Sequence, residues 1–276
     1  MRSTRSFQHG PIQGFTFGYH PFQEPKLTVN VYFVDGLLID TGPRRMKKDV
    51  LDAVGQLPVE KVMVTHHHED HTGNLNTLQA YYEKPVLASR KCMELMQDPP
   101  RLSLIQKALF LDRPPAQGLT DVGEVLETEN YRFQVVPIPG HASDMIALHE
   151  PDQGWLFSAD LYVLNRPRYM LPYEYVGEQI RSMERALALD WDVLLCAHNP
   201  KLKDGKKHLR KKLDLLQELT ENVVAGYEKG YSIRAIMRNI PVKEYWGVRL
   251  LSGGLLSARN MVASIIRDHT SGSRAG

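Results

Sequence analysis

The segment that decides the fold is Thr65-His66-His67-His68-Glu69-Asp70-His71-Thr72-Gly73. It brings four histidines and two carboxylates into six consecutive residues, and imidazole and carboxylate groups are the common protein ligands of zinc. The apolar run Lys61-Val62-Met63-Val64 precedes it and predicts a buried strand, and Gly73 permits a sharp turn. Side chains of a loop at the end of a strand can converge on one point, whereas an extended strand directs them to opposite faces. The pattern His-x-His-x-Asp-His therefore indicates a metal site.

Two simpler interpretations of the histidine run are weaker. Expression tags lie at chain termini and contain no ordered Glu-Asp pair. A polar surface loop is compatible with the composition of the segment. It does not explain why further His and Asp residues follow other predicted strands.

Length and composition set the class of protein. The 276 residues are long enough for one large α/β domain, and their composition of 42% hydrophobic and 24% charged residues is typical of a soluble globular protein. The formal net charge of +2 is too small to imply a nucleic-acid or membrane partner for the whole molecule. The polar residues 1–6 lead into no apolar signal-peptide core, and no window reaches the ~18 apolar residues of a membrane span. Cys92 and Cys196 form no disulfide framework. We therefore expect a cytoplasmic location.

Other metal-binding residue types recur where predicted strands end. Asp40 follows the strand Leu37-Leu38-Ile39, His141 follows the strand region 131–138, Asp160 follows a strand that begins at Trp155, and His198 follows Asp192–Cys196. One histidine after a strand is usually structural. Five strand ends that each carry His or Asp predict one shared site.

These motifs resemble those of the metallo-β-lactamase-fold hydrolases, and the resemblance runs from Asp40 to His198. It implies a four-layer αββα sandwich of the α/β class with the metal site at one edge of the sheets. It implies a first metal held by His66, His68 and His141, a second held by Asp70, His71 and His198, and a bridging Asp160. Asp40 would orient the ligand loop from behind, and His67 and Glu69 would be spacers.

The chemistry of this donor set is that of a dinuclear hydrolase. Two divalent ions, zinc or alternatively iron or manganese, would lower the pKa of a bridging water and supply hydroxide at neutral pH. Asp70 would orient that hydroxide and pass a proton to the leaving group.

Departures from parts of the family narrow the expected substrate. The presence of Asp160 and the absence of a signal peptide argue against an antibiotic-hydrolysing enzyme. Residues 161–197 leave no room for the inserted domain of the large nucleic-acid-processing members. The chain resembles the compact branch, which contains glyoxalase II-like thioesterases, N-acyl-homoserine lactonases and small endoribonucleases.

Three segments bear on the choice within that branch. Tyr162 could donate its phenol to a substrate carbonyl, or could simply pack beside the site. Residues 201–212 contain seven Lys or Arg and one acidic residue. With Arg234, Arg238 and Arg249 they could follow a phosphate backbone, or they could be the solvated face of a helix packed through Leu209, Leu213, Leu216 and Leu219. The helical insert 102–111 and residues 170–173 would line an acyl pocket.

The sequence thus predicts a catalytic domain at residues 1–202 and a C-terminal helical extension at 203–276. The expected function is hydrolysis of a small-molecule lactone, ester or thioester, with an endoribonuclease-like phosphodiesterase as the alternative. Nucleic acid is the less favoured partner, no membrane partner is expected, and a homodimer is left open.

Overall fold

Two β-sheets lie face to face between layers of helices. The computed structural model describes residues 1–20, 22 and 27–272. The strands are β1 Arg2–His9, β2 Ile12–Tyr19, β3 Val29–Val34, β4 Leu37–Ile39, β5 Lys61–Met63, β6 Val86–Ala88, β7 Thr120–Asp121, β8 Val125–Glu127, β9 Arg132–Pro137, β10 Ile146–Glu150, β11 Trp155–Ala159 and β12 Val193–Cys196. The helices are α1 Lys47–Val54, α2 Leu75–Tyr82, α3 Arg90–Gln97, α4 Leu104–Phe110, α5 Val176–Leu187, α6 Gly205–Glu228, α7 Ile233–Asn239, α8 Trp246–Leu251 and α9 Ala258–Gly272.

The first sheet has the order β1-β2-β3-β4-β5-β6-β7 and the second the order β12-β11-β10-β9-β8. Strands β1 to β4 pair antiparallel, and β4 to β7 pair parallel. In the second sheet the β11–β12 pair is parallel and the others are antiparallel. The carboxyl ends of β4, β5, β11 and β12 each lead directly into a predicted metal-binding segment.

Apolar side chains fill three interfaces. Tyr32, Phe133 and Phe157 are buried between the two sheets. The outer face of the first sheet packs on α1, α2 and α3, and that of the second packs on α5, α6 and α9. Fully burying one large apolar side chain contributes about 1.5–3 kcal/mol, so these three cores hold the layers together. The α/β fold with an αββα layer order is confirmed.

The N-terminal hairpin and one helix were not predicted from the sequence, and neither was the two-residue strand β7. The hairpin β1–β2 begins with Arg2-Ser3-Thr4-Arg5-Ser6, and β1 is an edge strand whose side chains are mostly exposed or half-buried. An edge strand of this kind lacks the alternation of apolar and polar residues that reveals a half-buried strand. The second is the short helix α8, which carries the exposed apolar side chains Trp246, Leu250 and Leu251.

The starts of two helices and the buried face of a third follow from their sequences. Ser89 caps α3 by accepting a hydrogen bond from the Cys92 amide. The insert between proline breakers contains α4, which opens with a capping box of Ser103 and Gln106. In the C-terminal part, Leu209, Leu213, Leu216 and Leu219 form the buried stripe of α6.

The C-terminal helices share one core with the second sheet. Leu213 and Leu216 of α6 and Val262 of α9 lie in the same cluster as Leu156 and Leu194 of the second sheet. Within the part of the chain that the structure describes, no helix is both long and apolar enough for a membrane crossing.

Candidate metal centre

Five loops bring His and Asp side chains to one edge of the two sheets. Asp40 follows β4, the segment 66–71 follows β5, His141 lies between β9 and β10, Asp160 follows β11, and His198 follows β12. A register shift between Phe157 and Ala159 interrupts the β11–β12 ladder just before Asp160. Such bulges redirect a side chain at the end of a strand.

All seven predicted ligand residues come together. Their side-chain donor atoms fall into three overlapping groups in which all atoms lie within 4.8 Å of one another. These groups are His66, His68 and His141; Asp70, His71 and His198; and His66, His71 and Asp160. The first two groups correspond to the two metal positions that the sequence resemblance implied.

Asp160 lies between the two groups. Its Oδ2 is 3.3 Å from His141 Nε2 and 3.1 Å from His198 Nε2, and its Oδ1 is 3.4 Å from His71 Nε2. On the other side, Asp70 Oδ2 is 3.6 Å from His198 Nε2. One carboxylate therefore faces nitrogens of both groups.

The donor atoms fit divalent cations. His66 Nε2, His71 Nε2 and Asp160 Oδ1 are buried and make no hydrogen bond in the described part of the chain. An unpaired buried polar atom costs about 1–3 kcal/mol, and coordination of a cation would remove that cost. His68 Nδ1 and His141 Nε2 also face each other at 3.0 Å. A cluster of His and Asp with these properties is a candidate site for divalent metal.

The electrostatics differ between the two groups. Desolvation and the neighbouring imidazoles hold the pKa of His66 and His68 well below the ordinary value, so both are neutral donors. Burial alone would lower the pKa of His198, but the charge and hydrogen bond of Asp160 outweigh it and raise that pKa to about 9. Burial would likewise lower the pKa of His71, but Asp40, Asp70 and Asp160 raise it well above the usual range. In the metal-free protein, the second group therefore holds protons that a cation must displace.

Asp40 lies behind the ligand loop, as expected. Its Oδ2 accepts from His71 Nδ1 at 2.7 Å, and its Oδ1 accepts from the Thr65 amide at 2.8 Å. Asp40 has a φ of +65°, a left-handed conformation that Asp tolerates better than most residues. The bond to Nδ1 leaves Nε2 of His71 free to face the metal group.

Two further acceptors were missed from the sequence. His141 Nδ1 donates to Glu174 Oε2 at 3.0 Å, and His198 Nδ1 donates to the Thr28 carbonyl at 2.6 Å. Glu174 also accepts from the Leu171 amide and the Gln179 side chain. The one available signal was general: a ligating histidine needs an acceptor on its second ring nitrogen. Neither residue carries a motif that would show which acceptor it is.

The two residues that the sequence assigned as spacers fix the loop. The His67 amide and Nδ1 both donate to the Asp144 carboxylate at 2.8 Å. Glu69 accepts from Gln106 Nε2 at 3.0 Å and lies 3.6 Å from the guanidinium of the buried Arg113. They anchor the ligand loop to the β9–β10 connection and to the α4 region.

Gly73 is required by close packing. A Cβ atom at this position would lie 2.3 Å from the Arg44 amide nitrogen and 2.6 Å from the Glu69 carbonyl oxygen. Its φ is not in the left-handed region, so the expected sharp turn is not the reason for glycine here.

Two tyrosines lie near the predicted pocket. The Tyr162 hydroxyl donates to Asn165 Oδ1 at 2.7 Å, and its ring lies 6.1 Å from that of His208, in a cavity beside the site. Tyr173 lies against the metal-binding residues, with its ring centroid 6.2 Å from that of His68. Burial raises the pKa of Tyr173, so its phenol remains protonated at neutral pH.

A narrow apolar slot opens beside Asp70. It is lined by Leu109 and Phe110 at the end of α4 and by Phe17, Val29 and other residues of the first sheet. The insert 102–111 thus reaches the metal-binding residues through its last turn, while Leu104 at its start is exposed.

Five of the seven basic residues in the stretch 201–212 fall into three sets. Lys207, Arg210 and Lys211 are exposed on the outer face of α6. Lys212 is buried and donates to the Leu161 carbonyl at 2.7 Å, one residue after Asp160. Lys201 lines the cavity that contains Tyr162.

The metallo-beta-lactamase superfamily profile matches residues 25–198, which is more than half of the chain. The chain belongs to the metallo-beta-lactamase superfamily. A beta-lactamase domain protein from Burkholderia ambifaria has the same fold, with a TM-score of 0.67 at 19% identity over 93% of this chain and 87% of that one.

Two curated relatives are hydrolases by name. A hydroxyacylglutathione hydrolase from Chromohalobacter salexigens is 28% identical over 163 residues, which is 58% of this chain and 55% of that protein. The acyl-coenzyme A thioesterase MBLAC2 of Gallus gallus is 26% identical over 218 residues, which is 68% of this chain and 78% of that protein. This chain therefore spans just over half of the first relative.

Proposed function

We propose that this protein is a metal-dependent hydrolase that cleaves a thioester, with two divalent cations, zinc first among them, held by the seven His and Asp residues. The observation that carries the proposal is the convergence of these buried donor atoms, several of which have no hydrogen-bond partner among the described residues. When bound, such ions supply Lewis acidity and lower the pKa of a water molecule. The names of the two curated relatives favour a thioester over the lactone that the sequence left equally open.

The residues around the ions have separate tasks. His66, His68 and His141 would hold one cation, Asp70, His71 and His198 would hold the other, and Asp160 would contact both. Leu109 and Phe110, which lie beside Asp70, would contact the acyl chain and shield it from water. Tyr173 lies beside His68 with a protonated phenol, which makes it a better candidate than Tyr162 for donating to a substrate carbonyl.

Asp70 is the proposed proton carrier. Its carboxylate lies beside His71 and His198 and also lines the apolar slot proposed for the acyl chain, so it would lie next to the bond that is cleaved. We expect Asp70→Asn to lower kcat by about 10²–10⁴-fold, the usual contribution of a general acid-base residue. Retention of both metals with near-normal turnover in this variant would contradict the role.

Metal analysis and a substrate panel test the whole proposal. The purified protein should contain about two metal ions per chain, and His66→Gln should lose metal while His9→Gln on the remote strand β1 should keep it. The panel compares thioesters, lactones and single-stranded RNA at matched concentrations. Turnover of RNA without turnover of thioesters would replace the proposed function with the phosphodiesterase alternative.

A further inference from the structure

A cavity of about 550 Å³ adjoins the candidate metal centre and takes no part in holding metal. Its walls come from the loop after Asp160, the loop after His198, the first turn of α6 and the segment that precedes α8. Asn199 follows His198 directly, and its side chain donates to the Val163 carbonyl at 3.1 Å, which ties the first two loops together. A ligand in the cavity would therefore contact the two loops that directly follow the candidate metal-binding residues Asp160 and His198.

The lining is strongly cationic. Arg166, Arg168, Lys201 and Lys243 face the cavity, and none of the described residues that line it is Asp or Glu. In the described part of the chain, none of these four side chains makes an ion pair within 4.0 Å, although other Lys and Arg residues do. The whole chain has a net charge of only +2, so four unpaired cations around one cavity are a local concentration of charge.

The remaining lining groups are neutral and held in place. Asn165 Oδ1 lies within hydrogen-bond distance of the Tyr162 hydroxyl (2.7 Å) and of His208 Nδ1 (3.2 Å). The Arg168 guanidinium lies over the Tyr245 ring at 5.6 Å. These contacts hold the polar side chains of the lining in place, and the Tyr245 ring adds an aromatic group to it.

We propose that this cavity binds the phosphates of a nucleotide carried by the thiol half of the substrate, so that the protein acts on thioesters of a phosphorylated nucleotide thiol such as coenzyme A. This inference rests on the proposed thioester hydrolysis. Each phosphomonoester carries about −1.5 to −2 charge at pH 7, and guanidinium groups bind phosphate through paired hydrogen bonds. The Tyr245 ring would offer the base a stacking surface.

The composition of the lining disfavours the thiol tripeptide glutathione as the leaving half. A glutathionyl group carries an α-ammonium as well as two carboxylates, and the lining residues that the structure describes provide no carboxylate to pair with that ammonium. A volume of about 550 Å³ is typical of a small-molecule site, not of a groove that follows a nucleic-acid strand.

Direct binding tests the cavity without any turnover. Calorimetry on the metal-loaded full chain should detect adenosine 3′,5′-bisphosphate, and Arg166→Gln and Lys243→Gln should each weaken its binding about tenfold or more. Lys207→Gln, on the exposed face of α6, is the matched control and should change nothing. Absence of binding, equal binding of inorganic phosphate, or equal affinity in Lys243→Gln would overturn the proposal.

Kinetics then test the substrate class. With one acyl chain attached to coenzyme A, to glutathione or to N-acetylcysteamine, the coenzyme A thioester should have the lowest KM. Arg166→Gln should raise the KM for the coenzyme A thioester relative to the N-acetylcysteamine thioester by about tenfold. A preference for the glutathione thioester, or RNA that displaces the bisphosphate more strongly than coenzyme A does, would contradict the inference. If no thioester is cleaved but the bisphosphate binds as expected, the proposed function fails while the anion site stands.

Discussion

Residues of the candidate metal centre use both ring nitrogens of their imidazoles. One nitrogen faces the metal group, and the other donates to an acceptor from a distant part of the chain: Asp40 for His71, Glu174 for His141 and the Thr28 carbonyl for His198. Each acceptor fixes the ring plane, so the second ring nitrogens converge before any metal arrives.

Asp40→Asn should weaken metal binding by about 10–100-fold, the usual effect of removing an acceptor behind a ligating histidine. An amide cannot accept at both positions, so either the Thr65 amide or His71 Nδ1 would face an NH₂ group. Competition with a chelator measures the affinity. Asp35→Asn is the matched control because Asp35 is also an aspartate at positive φ, in the turn before β4. Equal loss in both variants would assign the effect to the fold and not to His71.

The metal-free protein should lose about 1–2 kcal/mol of stability between pH 6.5 and 8. The pKa of His198 is raised to about 9 in the folded chain, so folding favours its protonated form. The stability that His198 contributes is fully present below the pKa of the unfolded chain, and it is lost as pH rises toward 9. Above pH 8 the buried Lys212 acts in the opposite direction, since desolvation lowers its pKa to about 8. Urea unfolding of chelator-treated protein at several pH values measures the slope. A flat or rising stability across this window would contradict the assignment, and the metal-loaded protein serves as the reference.

At the scale of elements, α4 and the chain after it support the ligand loop. Gln106 of α4 and Arg113 beyond it both contact Glu69, inside the histidine segment. Burial lowers the pKa of Arg113, and the Glu69 carboxylate is its main compensating charge. The apolar slot and the metal-binding loop are therefore coupled through one buried ion pair.

Glu69→Gln should destabilise the protein by about 3 kcal/mol, because it leaves a guanidinium buried without its carboxylate. The metal content should stay near that of the wild type, since Glu69 is not among the converging donor groups. Thermal unfolding and metal analysis measure the two quantities separately. Glu94→Gln, an exposed position on α3, is the control. Loss of metal with unchanged stability would mean that Glu69 is itself a ligand.

Element prediction succeeded for the strands that lead to the site and failed for the N-terminal hairpin, although its second strand β2 is mostly buried, and for the surface helix α8. The strands that lead to Asp40, Asp160 and His198 are fully or mostly buried, so continuous apolar runs marked them. Strand β1 and helix α8 have no such run because they lie at an edge and at the surface. The spacer assignment of His67 and Glu69 missed their anchoring contacts for a related reason: the partners Asp144 and Arg113 are distant in sequence.

At the scale of the whole molecule, we propose that residues 203–276 are an integral layer and not an independent appendage to residues 1–202. Helices α6 and α9 pack together with α5 on the outer face of the second sheet. Lys212 of α6 donates a hydrogen bond to the carbonyl of Leu161, the residue after Asp160. The same region supplies His208 and Lys243 to the cationic cavity.

A chain that ends at residue 202 should therefore fail to fold, since the apolar side chains under α6 and α9 would be exposed to water. A milder test is Leu216→Ala, which should lower the free energy of unfolding by about 2–5 kcal/mol. The control Lys211→Ala, on the exposed face of α6, should change it little. Circular dichroism and denaturant titration give the readout. A shortened chain that unfolds cooperatively and still binds metal would restore the two-domain division.

The sequence by itself determined which His and Asp residues are candidate metal donors, and its family resemblance predicted the layer order. The candidate metal-binding residues lie in short motifs. Each motif follows a buried strand, which can be recognised from its run of apolar residues. Only the tertiary structure decided which His and Asp side chains lie together in each group and which tyrosine lies beside the histidines. It also decided that four cations from three separate segments line one cavity. Such contacts join residues tens of positions apart, and their energy depends on distance and burial, which no local pattern of residues records.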